Sequence, residues 1–243
     1  MNLQELLKSS LPNDHSRQVT SWYFVDKVLA GKKIDRVMDL GCGAGHSVEY
    51  FKKKTDAIWT GLDIELPEAA NAVCKIPGAY VLYDGIKFPF PDESFDMVFS
   101  NQVFEHILYP RKVIAEIARV LRPGGCFVGS VSHLEPYHSL SFWNYTPYGF
   151  KILLEESNLE LKEIRPSVDA LTLISRRLLN GTKIRKKGFL SRYLERESPL
   201  NQLIGLAGTI LRKSHEDINL IKLLFCGQFA FMAIKNNVAQ ILP

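Results

Sequence analysis

The feature that most constrains this chain is an alternation. From residue 34 onward, short apolar runs take turns with segments of helical periodicity. "IDRVMDL" (34–40), "AIWTGLDI" (57–64), "AYVLYDG" (79–85), "FDMVFSNQV" (95–103), "CFVGSVS" (126–132) and "LELKEIR" (159–165) read as strands, and "LFCGQFAFMAIK" (224–235) as a final one. "GHSVEYFKKK" (45–54) reads as a short helix, and "PRKVIAEIARVLR" (110–122) as the clearest one. Pro110 can open that helix, Val113, Ile114, Ile117, Val120 and Leu121 share one face, and Pro123-Gly124-Gly125 stops it. Thr146-Pro147 starts another helix, which Asn158 can close. Strands that alternate with helices predict an α/β fold, a mainly parallel sheet with helices on both faces. Ligands in such sheets bind beyond the carboxyl ends of the strands, near the switch in strand order. The expected site therefore draws on residues 40–46, 63–65, 84–86, 100–106 and 132–146.

Two regions lie outside the alternation. Residues 1–33 precede it, with "SRQVTSWYFVDKVLAG" (16–31) reading as helical. Residues 166–223 separate the last two strands, a long gap for a connection in a compact sheet. Within that gap, residues 176–196 hold eight basic residues and one acidic, a net of +7 against +4 for the whole chain. The excess positive charge is thus confined to one segment, and the overall balance does not mark a nucleic-acid binder. The four cysteines, Cys42, Cys74, Cys126 and Cys226, form no CxxC pair, so neither a metal site nor a disulfide framework is indicated. "MNLQELLKSSLPND" lacks the apolar core of a signal peptide, and no apolar run reaches about 18 residues. A reduced, cytoplasmic setting is the expectation.

The stretch "VMDLGCGAGHSVEYF" (37–51) carries the chemistry. Gly41, Gly43 and Gly45 follow an apolar strand and precede a helix, so a ligand can approach the backbone without meeting a Cβ. Asp63 ends the second strand, where a carboxylate can accept both hydroxyls of a ribose or simply cap a turn. A dinucleotide fingerprint would need glycine at position 46, where His46 stands. The G-x-G-x-G spacing, with Asp39 before it, points to a nucleoside without a pyrophosphate.

"VMDLGCGAG", "GLDI", "YDGIKFPFPDESFDMVFSNQVFEHI" and "ARVLRPGG" together resemble the class I S-adenosylmethionine-dependent methyltransferases, in the subgroup called methyltransferase type 11. The resemblance covers roughly residues 34–165. It implies a Rossmann-like methyltransferase fold over residues 1–243, with a seven-stranded sheet whose last strand is antiparallel. Residues 1–33 would then be a helical extension, and 166–223 a helical basic insertion serving as lid or interaction element. The implied cofactor is S-adenosyl-L-methionine. Gly41, Gly43 and Gly45 would pass its methionine part, Asp39 would position its amino end, and Asn101 would lie near the amine. Asp63 would grip the ribose, Ile64 would pack on adenine, and Asp84 would accept from the adenine amino group beside Gly85.

A sulfonium is an activated methyl donor, so the remaining work is alignment, exclusion of water and, for a protic acceptor, a base. His106 is the candidate base, and a structural histidine at a helix start is the competing reading. "SHLEPYHSLSFWNYTP" (132–147) should line the acceptor pocket through His133, Tyr137, His138, Trp143 and Tyr145. Such aromatics suit a sugar or an amphipathic small molecule. The segment also resembles the FWxxTPxG(F/L)xxLLEExxL stretch of relatives linked to cell-surface glycan synthesis, a pointer to a glycan-like acceptor; the leading expectation is methylation of a small-molecule or glycan-like acceptor at oxygen. The basic segment 176–196 leaves open an RNA or lipid-linked substrate, or peripheral contact with a membrane. The apolar "SPLNQLIGLAGTIL" (198–211) leaves open a homodimer. A nicotinamide oxidoreductase and a non-catalytic relative are the remaining alternatives.

Overall fold

A computed structural model describes residues 3–64, 79–180 and 191–237. Seven strands form one sheet in the order β3-β2-β1-β4-β5-β7-β6. They are β1 (Arg36–Leu40), β2 (Ile58–Asp63), β3 (Tyr80–Leu82), β4 (Phe95–Asn101), β5 (Leu121–Ser132), β6 (Leu159–Pro166) and β7 (Gln228–Lys235). β7 runs antiparallel between β5 and β6, and the pairs from β3 to β5 are parallel. The expected mainly parallel sheet with one antiparallel last strand is therefore what the chain forms.

Strand residues alternate between two cores, as a period of two requires. Val37, Met97 and Val128 face one side, with helices α2 (Ser21–Gly31) and α3 (Val48–Lys54) packed there through Phe24, Val28 and Phe51. Met38, Val98 and Phe127 face the other side, with α4 (Pro110–Val120) and α5 (Pro147–Glu155) packed there through Ile114, Ile117, Phe150 and Leu154. A short helix, α1 (Leu3–Leu7), adds Leu7 to that second core.

Several boundaries differ from the sequence reading. α4 ends at Val120, and β5 begins at Leu121 rather than at Cys126, carrying Pro123-Gly124-Gly125 inside it. Leu121 pairs with Phe95, and a register shift before the Met97–Cys126 pair absorbs the extra residues. α3 begins at Val48 because residues 45–47 turn, and α2 begins at Ser21. The last strand begins at Gln228, since the preceding residues close a helix.

Between β6 and β7 stand α6 (Ala170–Asn180), α7 (Pro199–Ile210) and α8 (His215–Phe225). Residues 181–190, within the basic segment, and Cys74 lie outside the described residues. The helices dock on the N-terminal extension by polar contacts that the sequence does not reveal. The Gln18 side chain accepts from the Ser198 main chain and from Asn201, and donates to the carbonyls of Tyr193 and Arg196. Lys222, buried, pairs with Glu197 and donates to the Ser16 carbonyl. Arg165 is fully buried and pairs with Glu163 and Asp14, while donating to the His15 carbonyl. Burial would raise the Asp14 carboxyl, but the Arg165 guanidinium outweighs it and holds the group down at about 2.

Candidate active site

β1 pairs with β2 on one side and β4 on the other, so the switch in strand order falls between β1 and β4. Beyond the carboxyl ends of these strands lies a cleft of about 670 Å³, within the range of small-molecule sites. Gly41, Asp63, Ile64, Tyr83, Asp84, Gly85 and Ile86 line one part of it. Gln102, Val103, His106, Ile107, Leu108, Tyr109 and Phe142 line the other.

The glycine turn is held in a conformation that side chains resist. Gly45 sits at φ +77°, and a Cβ there would stand 1.9 Å from the Tyr80 hydroxyl, which donates to the Ala44 carbonyl. At Gly43 a Cβ would meet nothing within 4 Å, so the backbone there borders open space. The Gly43 amide donates to Asp63 Oδ2 at 2.8 Å, and the Ile64 amide donates to Oδ1 at 2.8 Å. Each carboxylate oxygen keeps a further lone pair for a ligand hydroxyl. Asp84 accepts from the amides of Lys87 and Ile86, which lower its pKa. Ile64 is 64% exposed beside it, an apolar face left for a planar group.

Asp39 is buried at the end of β1. Burial, with the nearby Asp63 charge, pushes its carboxyl up to about 7 against the opposing hydrogen bond from Ser47. Trp59 donates to that Ser47 hydroxyl, which fixes the pair. Asn101 ends β4 and accepts from Ser21 and Ser130, so the start of α2 reaches the site. A nucleoside with an amino acid tail fits these groups: an open backbone cradle at Gly43, two carboxylates at strand ends, an exposed apolar side chain and a buried acid.

On the opposite side, a turn of 3-10 helix, Phe104–His106, follows β4 and presents His106 to the cleft. Behind it Glu105 is wholly buried, and burial raises its carboxyl to about 7. His138 lies beside both, its ring perpendicular to that of His106 with centroids 5.3 Å apart. The five aromatic and histidine residues expected to line the acceptor side are not all placed alike. His133 shares a hydrogen bond with the Tyr145 carbonyl, and burial lowers its pKa. The buried Tyr145 donates from its hydroxyl to the Phe104 carbonyl. These two tie the loop to the end of β5 through main-chain groups that take their polar atoms, and none of the five, Tyr137, His138 and Trp143 included, is among the residues that line the cleft. Trp143 donates to the Ile107 carbonyl, and Tyr137 stands 75% exposed. Phe142, which sequence reasoning passed over, lines the cleft instead. Two amides, of Phe142 and Trp143, converge on the Glu105 carbonyl, and that pairing sets which ring turns inward. Gln102 was also missed; it holds φ +57° at the end of β4, a strained position that only coordinates reveal.

Residues 38–129 match the family model Methyltransf_11, described as a methyltransferase domain. Over that stretch, which is under half of the chain, the protein is similar to methyltransferase domains. The chain is 35% identical over 121 residues to the phthiotriol/phenolphthiotriol dimycocerosates methyltransferase of Mycobacterium tuberculosis (strain ATCC 25177 / H37Ra), an alignment covering 47% of this chain and 42% of that protein. It is 35% identical over 102 residues to a probable chloroplastic tocopherol O-methyltransferase of Oryza sativa subsp. japonica, covering 39% of this chain and 28% of that one. The match thus spans under half of either relative. Haemonchus contortus phosphoethanolamine N-methyltransferase 2, solved with S-adenosyl-L-methionine, shares the fold of the methyltransferase domain at a TM-score of 0.58 and 19% identity, covering 89% of this chain and 52% of that chain. Among the described residues no helix is long and apolar enough to cross a membrane.

Proposed function

We propose that this protein transfers a methyl group from S-adenosyl-L-methionine to the hydroxyl of a small amphipathic or glycan-like acceptor. The observation that carries the reading is the division of one cleft into two chemistries. Gly41, Asp63 and Asp84 stand on one part, and His106 with Ile107, Leu108, Tyr109 and Phe142 on the other. The cofactor supplies a methyl carbon activated by its sulfonium. Asp63 would hold the ribose hydroxyls, Asp84 the adenine amino group, and Asp39 with Asn101 the amino acid end. Gly41, Gly43 and Gly45 let the backbone approach, and Gly85 with Ile64 flanks the base.

The apolar part of the cleft excludes water and orients the acceptor. When bound, the cofactor would offer its methyl carbon to the acceptor oxygen with the sulfide as leaving group. The hydroxyl proton passes to the His106 imidazole and then to solvent. His138, Trp143 and Tyr137 belong to the acceptor side in this reading, and the tocopherol relative supports oxygen as the atom methylated.

Calorimetric titration with S-adenosylhomocysteine beside NAD tests the cofactor. Binding of the first alone is expected, and preference for NAD would overturn the reading. His106→Ala should slow turnover of any acceptor found in a methylation screen while leaving cofactor affinity unchanged. An unaltered rate would return His106 to a structural role.

A further inference from the structure

We infer that Glu105, His106 and His138 form a binding site for a divalent transition-metal cation, with Zn2+ the best match to the ligand set. One carboxylate oxygen and one nitrogen from each imidazole lie within 4.8 Å of one another. A tetrahedral ion with bonds of about 2.1 Å needs its ligand atoms about 3.4 Å apart, so small rotamer adjustments close the site. The two rings already stand as such an ion requires. Imidazoles sharing one tetrahedral centre bring their centroids to about 5 Å, and here they are 5.3 Å apart at 87°.

Three details argue that this is more than a chance meeting of side chains. Glu105 is fully buried, and its Oε2 has no hydrogen-bond partner, whereas Oε1 accepts from Ser132. An unpaired carboxylate oxygen inside a protein is costly, and a cation is one means of satisfying it. His138 holds Nδ1 at 3.3 Å from the Pro136 carbonyl, which favours the proton on that nitrogen. Its Nε2 is then bare and faces Glu105 Oε1, the oxygen that accepts from Ser132, at 3.9 Å, while Nδ1 also stands 3.7 Å from Glu135 Oε1. Metal-bound histidines are commonly oriented by such a donation from the other ring nitrogen. His106 borders the cleft, so a fourth coordination position would open toward the acceptor. Two imidazoles and one carboxylate suit zinc and its first-row neighbours better than magnesium or calcium, and three protein ligands leave a place for a further one.

The consequence for chemistry rests on the methyl-transfer reading; the binding itself does not. With a cation present, His106 would be committed as a ligand, and lowering the acceptor hydroxyl's pKa would fall to the ion. The test uses the full chain, stripped of metal by a chelator and titrated with Co2+ as a visible-absorption probe. Zn2+ affinity is then read by competition with a chromophoric chelator. One equivalent should bind with a Kd below about 1 μM, and Co2+ should show the intense absorption of a four-coordinate site. His106→Ala and His138→Ala should each weaken binding about a hundredfold, and His215→Ala, whose ring pairs with Ser16 outside the cluster, should not. Glu105→Gln should do likewise; the two histidine variants keep the test decisive if that buried substitution disturbs folding. Absence of binding below about 100 μM would overturn the inference. So would affinity that survives both histidine changes, or a protonated His138–Glu105 pair seen by NMR with no response to added metal. None of these readings needs cofactor or acceptor, so failure here is distinct from failure of the S-adenosylhomocysteine titration.

Discussion

Asp39 offers the sharpest quantitative test of the cofactor site. Its carboxyl is buried and titrates at about 7 in the ligand-free domain. The ammonium of S-adenosylhomocysteine placed against it favours the ionised form. Only the ionised fraction then binds well, and apparent affinity follows that fraction. Between pH 6 and pH 7.5 the fraction climbs from about one tenth to about three quarters, so Kd should fall about eightfold, or about 1.2 kcal/mol. At pH 6.5 binding should release about three quarters of a proton per ligand. Isothermal titration in two buffers of different ionisation heat measures both quantities. Asp39→Asn should flatten the slope and abolish its share of the release. A wild-type affinity that is flat across this window would refute the reasoning, as would a slope that persists unchanged in Asp39→Asn. The same linkage has a sign for stability. A carboxyl raised above its unfolded value of about 3.9 contributes fully below that pH, and the contribution is lost as pH rises through about 7. The ligand-free melting temperature should therefore fall across that range, more steeply than in Asp39→Asn.

Three further outcomes are expected. Asp63→Ala should weaken S-adenosylhomocysteine binding by about 1–3 kcal/mol, since it leaves the ligand hydroxyls and the Gly43 amide unpaired; unchanged affinity by calorimetry would reject the ribose assignment. Gly45→Ala forces an L side chain into the left-handed region at about 1–2 kcal/mol and displaces the Tyr80 hydroxyl, so denaturant unfolding should show a loss of about 2–3 kcal/mol. A loss under about 0.5 kcal/mol would mean that the turn relaxes freely. Arg165→Met leaves Glu163 buried beside Lys27 alone, and should cost about 3 kcal/mol and about 6–12 °C in melting temperature; a shift below about 2 °C would show that the buried ion cluster adds little.

How far the chain could be read in one dimension depends on the range of the forces involved. The placing of Gly41, Asp63 and Asp84 along the cleft was legible because each sits at or just past a strand end, and strand ends follow from apolar periodicity and glycine punctuation. His133 and Tyr145 were legible as candidates but not in their orientation. Whether a loop aromatic faces a cleft or the interior depends on which carbonyl accepts its polar atom, here those of Tyr145 and Phe104. The sequence offered a break at Pro123-Gly124-Gly125, and a shift in strand pairing extended β5 through it instead.

By itself the sequence determined the sheet and its strand ends, and the likeness of residues 38–129 to methyltransferase domains. Those rest on local patterns whose spacing is written along the chain. Only the tertiary structure decided that Arg165 ties the N-terminal extension to β6, that Gln18 ties it to the segment between β6 and β7, and that Glu105, His106 and His138 converge. Those contacts join residues distant in sequence, and a side chain's partner across the fold is set by packing, which no periodicity in the chain encodes.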